Sequence, residues 1–158
     1  MKKILATFTL ALALLLTACG QKISSNYAGV NIGDAAAKKL NLALPDGKAA
    51  IKALGTYKKD DSLKNYKSAA AAVKKLQKTC KDNEPASYAG KYDASTLITT
   101  GALKSKDVSQ MKGAVAHIVS EYAVESVPEK FFNAPNNSKL GKQLKKVSIQ
   151  YQKDVGVR

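Results

Sequence analysis

The sequence predicts an all-α protein, a small bundle of about five or six helices, and three observations carry that reading. Apolar residues recur at helical spacing over two long stretches, 62–81 and 107–126. Clusters of Pro, Gly and Asn punctuate the chain between periodic stretches. The segments with strand character, 96–100 and 147–151, are short, so the alternative is an α+β fold in which these two pair as a minor two-stranded piece.

The helical domain is expected over 34–158. Asp34 stands where a helix N-cap belongs, and the helix it opens is expected to run to Leu44 and stop at Pro45-Asp46-Gly47. A second short helix follows over 48–57, presenting Ile51 and Leu54, and the two make a helical hairpin. The clearest element starts after Ser62: Leu63, Tyr66, Ala69, Ala70, Val73, Leu76 and Cys80 form one stripe, with lysines mainly on the other faces. Residues 83–93 read as a loop around Pro85 and Gly90. The stretch 94–103 carries both a helix start at Asp93 and the β-branched run Thr96-Leu97-Ile98-Thr99-Thr100.

From Asp107 the helical pattern returns, with Val108, Met111, Val115, Ile118 and Tyr122 on one face, until Pro128 ends it. Phe131 and Phe132 are expected to fold back over the bundle end, and a turn around Pro135 follows. Ser138 then caps a final helix bearing Leu140, Leu144, Val147 and Tyr151. The two clear helices align at a constant offset of 45, pairing Ala69 with Ala114 and Val73 with Ile118, while Tyr27-Ala28-Gly29 recurs as Tyr88-Ala89-Gly90.

The first twenty residues have a separate logic. Met1-Lys2-Lys3 is a short positive start, and Ile4 to Leu16 is an apolar run too short to span a bilayer, which takes about 20 residues. It ends in Leu16-Thr17-Ala18-Cys19-Gly20, which resembles the lipobox of bacterial lipoprotein signal peptides. The resemblance implies cleavage of residues 1–18 and lipidation of Cys19 by thioether and amide acyl chains. Several chains hold a protein on a membrane where one does not. Gly20 in place of an Asp implies the outer membrane, facing the periplasm. Residues 21–33, polar and Gly-containing, read as a flexible tether, so 19–33 is lipidated cysteine plus tether.

Lys+Arg number 26 against 12 Asp+Glu, for a net charge of +14, and Arg158 is the only arginine. Loss of Lys2 and Lys3 with the leader takes the charge to +12. Diffuse lysine charge attracts anionic headgroups or cell-wall polymers, and bidentate arginine recognition is nearly excluded. With Cys19 acylated, Cys80 is the remaining thiol, expected as a small core residue.

Catalysis finds no constellation. His117 is the only histidine, one helical turn before Glu121, where an ion pair is expected. Asp34, Asp46, Asp61, Asp93 and Asp107 all sit at expected N-caps. No metal and no cofactor is expected, nor a nucleic-acid partner. The candidate binding site is the loop with Tyr88, Lys91 and Tyr92, whose flat rings and cation suit a sugar or peptide with an anionic group. The reading is therefore a non-catalytic binding or accessory lipoprotein of the cell envelope. The alternative is a protective lipoprotein of immunity or exclusion type that binds a toxin, phage or conjugation protein.

Overall fold

The computed structural model describes residues 22–85 and 93–158. Helices make up 76% of those residues, so the all-α expectation holds. In chain order the elements are β1 (Asn26–Tyr27), β2 (Val30–Asn31), α1 (Asp34–Lys59), α2 (Leu63–Asp82), α3 (Asp93–Ser105), α4 (Val108–Ser126), α5 (Glu129–Phe132) and α6 (Lys139–Val155).

Helix α1 runs through Pro45-Asp46-Gly47, where the sequence predicts a stop and a second helix over 48–57. An interior proline costs about 3 kcal/mol and a glycine about 1 kcal/mol. Packing outweighs both. Ala36, Leu40, Ala43, Gly47, Ala50, Leu54 and Tyr57 are buried at alternating spacings of four and three, so the apolar seam keeps phase across the interruption. Each large member contributes about 1.5–3 kcal/mol. Pro45 faces solvent. Gly47 lies against Val155 of α6, where an added Cβ would come within 2.9 Å of Val155 Cγ1. Asp46 is no cap: it pairs with Lys75 at 2.8 Å and accepts from Thr79 at 2.7 Å, fastening α1 to α2.

The α1–α2 hairpin is the most extensive helix pair, and α2 buries Ala69, Val73, Leu76 and Cys80 against it. Ser62 caps α2, accepting from Asn65 N, and Asp107 caps α4 in the same way, accepting from Gln110 N at 2.7 Å. These caps are again 45 residues apart. At α1 the N-cap is Gly33 with φ 81°, and Asp34 lies inside the first turn. Helix α4 is central: it buries both the Met111-Val115-Ile118-Tyr122 row and the Ala114-Val119-Ala123-Ser126 row, and packs on α1, α3 and α6.

The doubtful stretch 94–103 is helical in α3, and 147–151 is helical in α6, whose cap Ser138 accepts from Gly141 N at 3.1 Å. The two-stranded piece lies elsewhere, between Asn26–Tyr27 and Val30–Asn31, antiparallel. Ala28 and Gly29 at the turn both have positive φ, 54° and 71°, the signature of a tight type I′ hairpin. This corrects the expected tether. Ile23, Tyr27, Val30 and Ile32 are buried members of the core, because their apolar side chains fall on one face of the short ribbon. The expected tether residues Ser24, Asn26, Gly29 and Asn31 are what face outward or turn.

Phe131 is buried in α5, as a plug would be. No helix of the described residues is long and apolar enough to cross a membrane.

Candidate functional site

Cys19 and the loop residues Tyr88, Lys91 and Tyr92 lie outside the described residues. The described surface offers three places where polar chemistry gathers.

The first is around Glu121 on α4. His117 Nε2 stands 3.0 Å from Glu121 Oε1, one helical turn along, as the spacing predicts. The other carboxylate oxygen accepts from Ser95 Oγ of α3. A serine, a glutamate and a histidine therefore meet, but in the order hydroxyl, carboxylate, imidazole. Nucleophile activation needs the imidazole next to the hydroxyl and the acid behind it. Here the carboxylate fastens α3 to α4 from a half-exposed position. Cys80 is fully buried on α2, and burial, then the charges of Asp46 and Glu125, push its thiol pKa up, so it stays protonated and inert. No cluster of three or more His, Cys, Asp or Glu able to hold a metal occurs among the described residues.

The second place is the lysine surface. Among the described residues the lysine ion pairs are Lys75–Asp46 and Lys78–Asp82. On α6 the exposed Lys139, Lys142 and Lys146 recur at spacings of three and four and line, with Gln143, an open cavity of about 400 Å³. No carboxylate lines it. Ser138 at the cap and Gly141 on the buried side fix the phase of this row. An added Cβ on Gly141 would stand 2.4 Å from the Pro135 carbonyl, so the turn before α6 presses directly on the helix backbone.

The third is a groove of about 750 Å³ between the entering chain and α1, lined by Lys22, Ile23, Lys38, Asn41 and Leu42 among others. Asn41 holds the chain here in both directions. Its Oδ1 accepts from Ile23 N at 2.9 Å and its Nδ2 donates to Ile23 O at 2.7 Å. The tether expected over 21–33 contains no such clamp, whereas the structure pins the chain to α1 at Ile23. The alternation of Ile23, Tyr27, Val30 and Ile32 among polar residues is the signal that marks it.

Compared with protein-family models, curated proteins and solved structures, the chain matches none.

Proposed function

We propose that this chain is a non-catalytic lipoprotein of the bacterial envelope, held by acyl chains on Cys19 in the outer membrane facing the periplasm, that binds anionic envelope polymers through lysine rows. The observation that carries the binding half is the α6 row of Lys139, Lys142 and Lys146, three exposed cations around one cavity with no lining acid. Ammonium groups are point charges suited to irregularly spaced phosphates or carboxylates. The anchor half rests on the lipobox residues Leu16 to Cys19.

The tests separate the two halves. A Cys19→Ser variant is expected to lose palmitate labelling and leave the membrane fraction, since a hydroxyl forms no thioether; retained labelling overturns the anchor. A Gly20→Asp variant is expected to move to the inner membrane; unchanged fractionation overturns only the outer-membrane assignment.

For binding, the lipidated chain in neutral detergent is titrated with isolated cell wall and with lipopolysaccharide. Association is expected at 0.01 M salt, where the Debye length is about 30 Å, and is expected to fall steeply by 0.15 M, where it is about 8 Å. Replacing Lys139, Lys142 and Lys146 by Gln is expected to remove it with the melting temperature unchanged. Binding that survives this triple change but is lost on replacing Tyr88, Lys91 and Tyr92 by Ala moves the site to that loop. A tight one-to-one protein complex that resists salt, with no polymer binding, replaces this reading by the protective one.

A further inference from the structure

The entering chain and the outer face of α1 together define how the domain sits on its membrane. The main-chain N–H and carbonyl of Ile23 are both hydrogen-bonded to the Asn41 side chain, so the chain is already pinned to α1 at residue 23. Four residue steps separate Cys19 from Ile23, a reach of at most about 14 Å when fully extended. A lipid on Cys19 therefore brings the bilayer surface to the part of α1 that surrounds Asn41.

That part of α1 is not uniformly polar. Lys38, Leu42, Pro45, Ala49 and Lys52 are all exposed and recur at spacings of four and three, two positions out of phase with the buried seam and so on the opposite face of the helix. Leu42 is 46% exposed, beside the groove that contains Lys22 and Lys38. Asp34 is the one acid lining that groove. The stripe runs about 21 Å along the helix. Its pattern is an apolar centre between cations, the arrangement that settles a helix at the headgroup level of a lipid surface.

We propose that α1 lies along the membrane surface, with Leu42, Pro45 and Ala49 against the lipid and Lys22, Lys38 and Lys52 against the phosphates of anionic phospholipids. This orientation rests on the lipidation of Cys19. It leaves the domain no freedom to swing on a tether, so whatever the protein binds is met close to the membrane.

The full-length lipidated chain, reconstituted in phosphatidylethanolamine vesicles containing phosphatidylglycerol, tests the orientation. Leu42→Cys and, as comparison, Leu97→Cys on α3, where Leu97 is 74% exposed, are each labelled with an environment-sensitive fluorophore. Cys80, fully buried, does not compete for the label. The Leu42 label is expected to emit at shorter wavelength and to be quenched severalfold more by nitroxide-bearing lipid than the Leu97 label. Combining Lys38→Glu with Lys52→Glu is expected to reduce that quenching while the chain stays in the membrane fraction; unchanged quenching overturns the role of the cations. Equal quenching at the two positions in a membrane-bound, acylated chain overturns the docking and leaves the anchor intact. Recovery of the chain in the aqueous fraction without acyl groups overturns the anchor itself. A Leu42 label shielded from aqueous iodide but not reached by lipid nitroxide means that a protein covers the face, and overturns the lipid as its occupant.

Discussion

The hydroxyl of Tyr27 donates to Asp154 Oδ2 at 2.5 Å, tying the N-terminal hairpin to the last turn of α6 across 127 positions of sequence. The other described tyrosines act in the same way. Tyr57 donates to the Lys106 carbonyl, Tyr66 to Leu103, Tyr122 to Lys39 and Tyr151 to Leu40, each across more than 30 positions. In a core rich in alanine, where each helix contact buries little, these rings add area and their hydroxyls hold distant backbone in place. Two of the acceptors, Lys39 and Leu40, lie just before Asn41, the residue whose carbonyl Pro45 is unable to serve.

Removing the Tyr27 hydroxyl isolates the contribution of the hairpin. Tyr27→Phe is expected to lower stability by about 1–3 kcal/mol, read from chemical unfolding, because the donor is to a carboxylate. Asp154 keeps its bond from Gln150 Nε2 at 2.8 Å, so the bundle itself remains.

Alkali should attack the same ties. Burial, followed by Asp154, pushes the Tyr27 hydroxyl pKa above its ordinary value of 10.0, and burial does the same for Tyr122 and Tyr151. A group whose pKa is raised on folding favours the protonated folded state. Its stabilisation is complete below pH 10 and declines as the pH rises above that, since the unfolded tyrosine releases its proton first. Unfolding midpoints measured across pH 8 to 11 are expected to fall from about pH 10 upward, less steeply in Tyr27→Phe.

Acid acts through Asp46. Burial alone would raise its pKa, but the hydrogen bonds from Lys75 and Thr79 and the Lys75 charge outweigh it and hold the carboxyl below the ordinary 3.8. The stabilisation is present above pH 3.8 and is lost as the pH falls through the lower folded value. Asp46→Ala is expected to cost about 1.5–3 kcal/mol at neutral pH and to flatten the dependence of stability on pH below 4.

The core positions are the most sensitive. Val73 and Ile118 are 0% and 1% exposed, so Val73→Asp or Ile118→Asp buries an unpaired charge and is expected to cost several kcal/mol and abolish cooperative unfolding. Circular dichroism and thermal melts read this directly, and a wild-type melt in both variants would contradict the packing described.

Gly141 tests the turn before α6. Gly141→Ala places a methyl 2.4 Å from the Pro135 carbonyl and 2.8 Å from Asn136 Cα, both backbone atoms that must shift together. A loss of about 1–3 kcal/mol is expected. By contrast Gly55→Ala, with nothing within 4 Å of its added Cβ, is expected to be neutral or stabilising in the same unfolding assay.

By itself the sequence determined the class and most of the elements. Ser62, Asp107 and Ser138 mark helix starts through side chains that bond backbone N–H groups three residues on, and the stripes ending in Cys80 and in Tyr122 are strong enough to set which face is buried. These are local signals, complete within one turn or one helix. Tertiary structure decided the rest. The chain passes through Pro45-Asp46-Gly47 as one helix because Val155 needs the space that Gly47 leaves and because Lys75 and Thr79 occupy the carboxylate that would otherwise cap. It folds residues 22–33 onto the bundle because Asn41 and Asp154 supply partners for Ile23 and Tyr27. A proline or a run of small polar residues states a local cost, and only the partners brought from 18, 33 or 127 positions away determine whether that cost is outweighed.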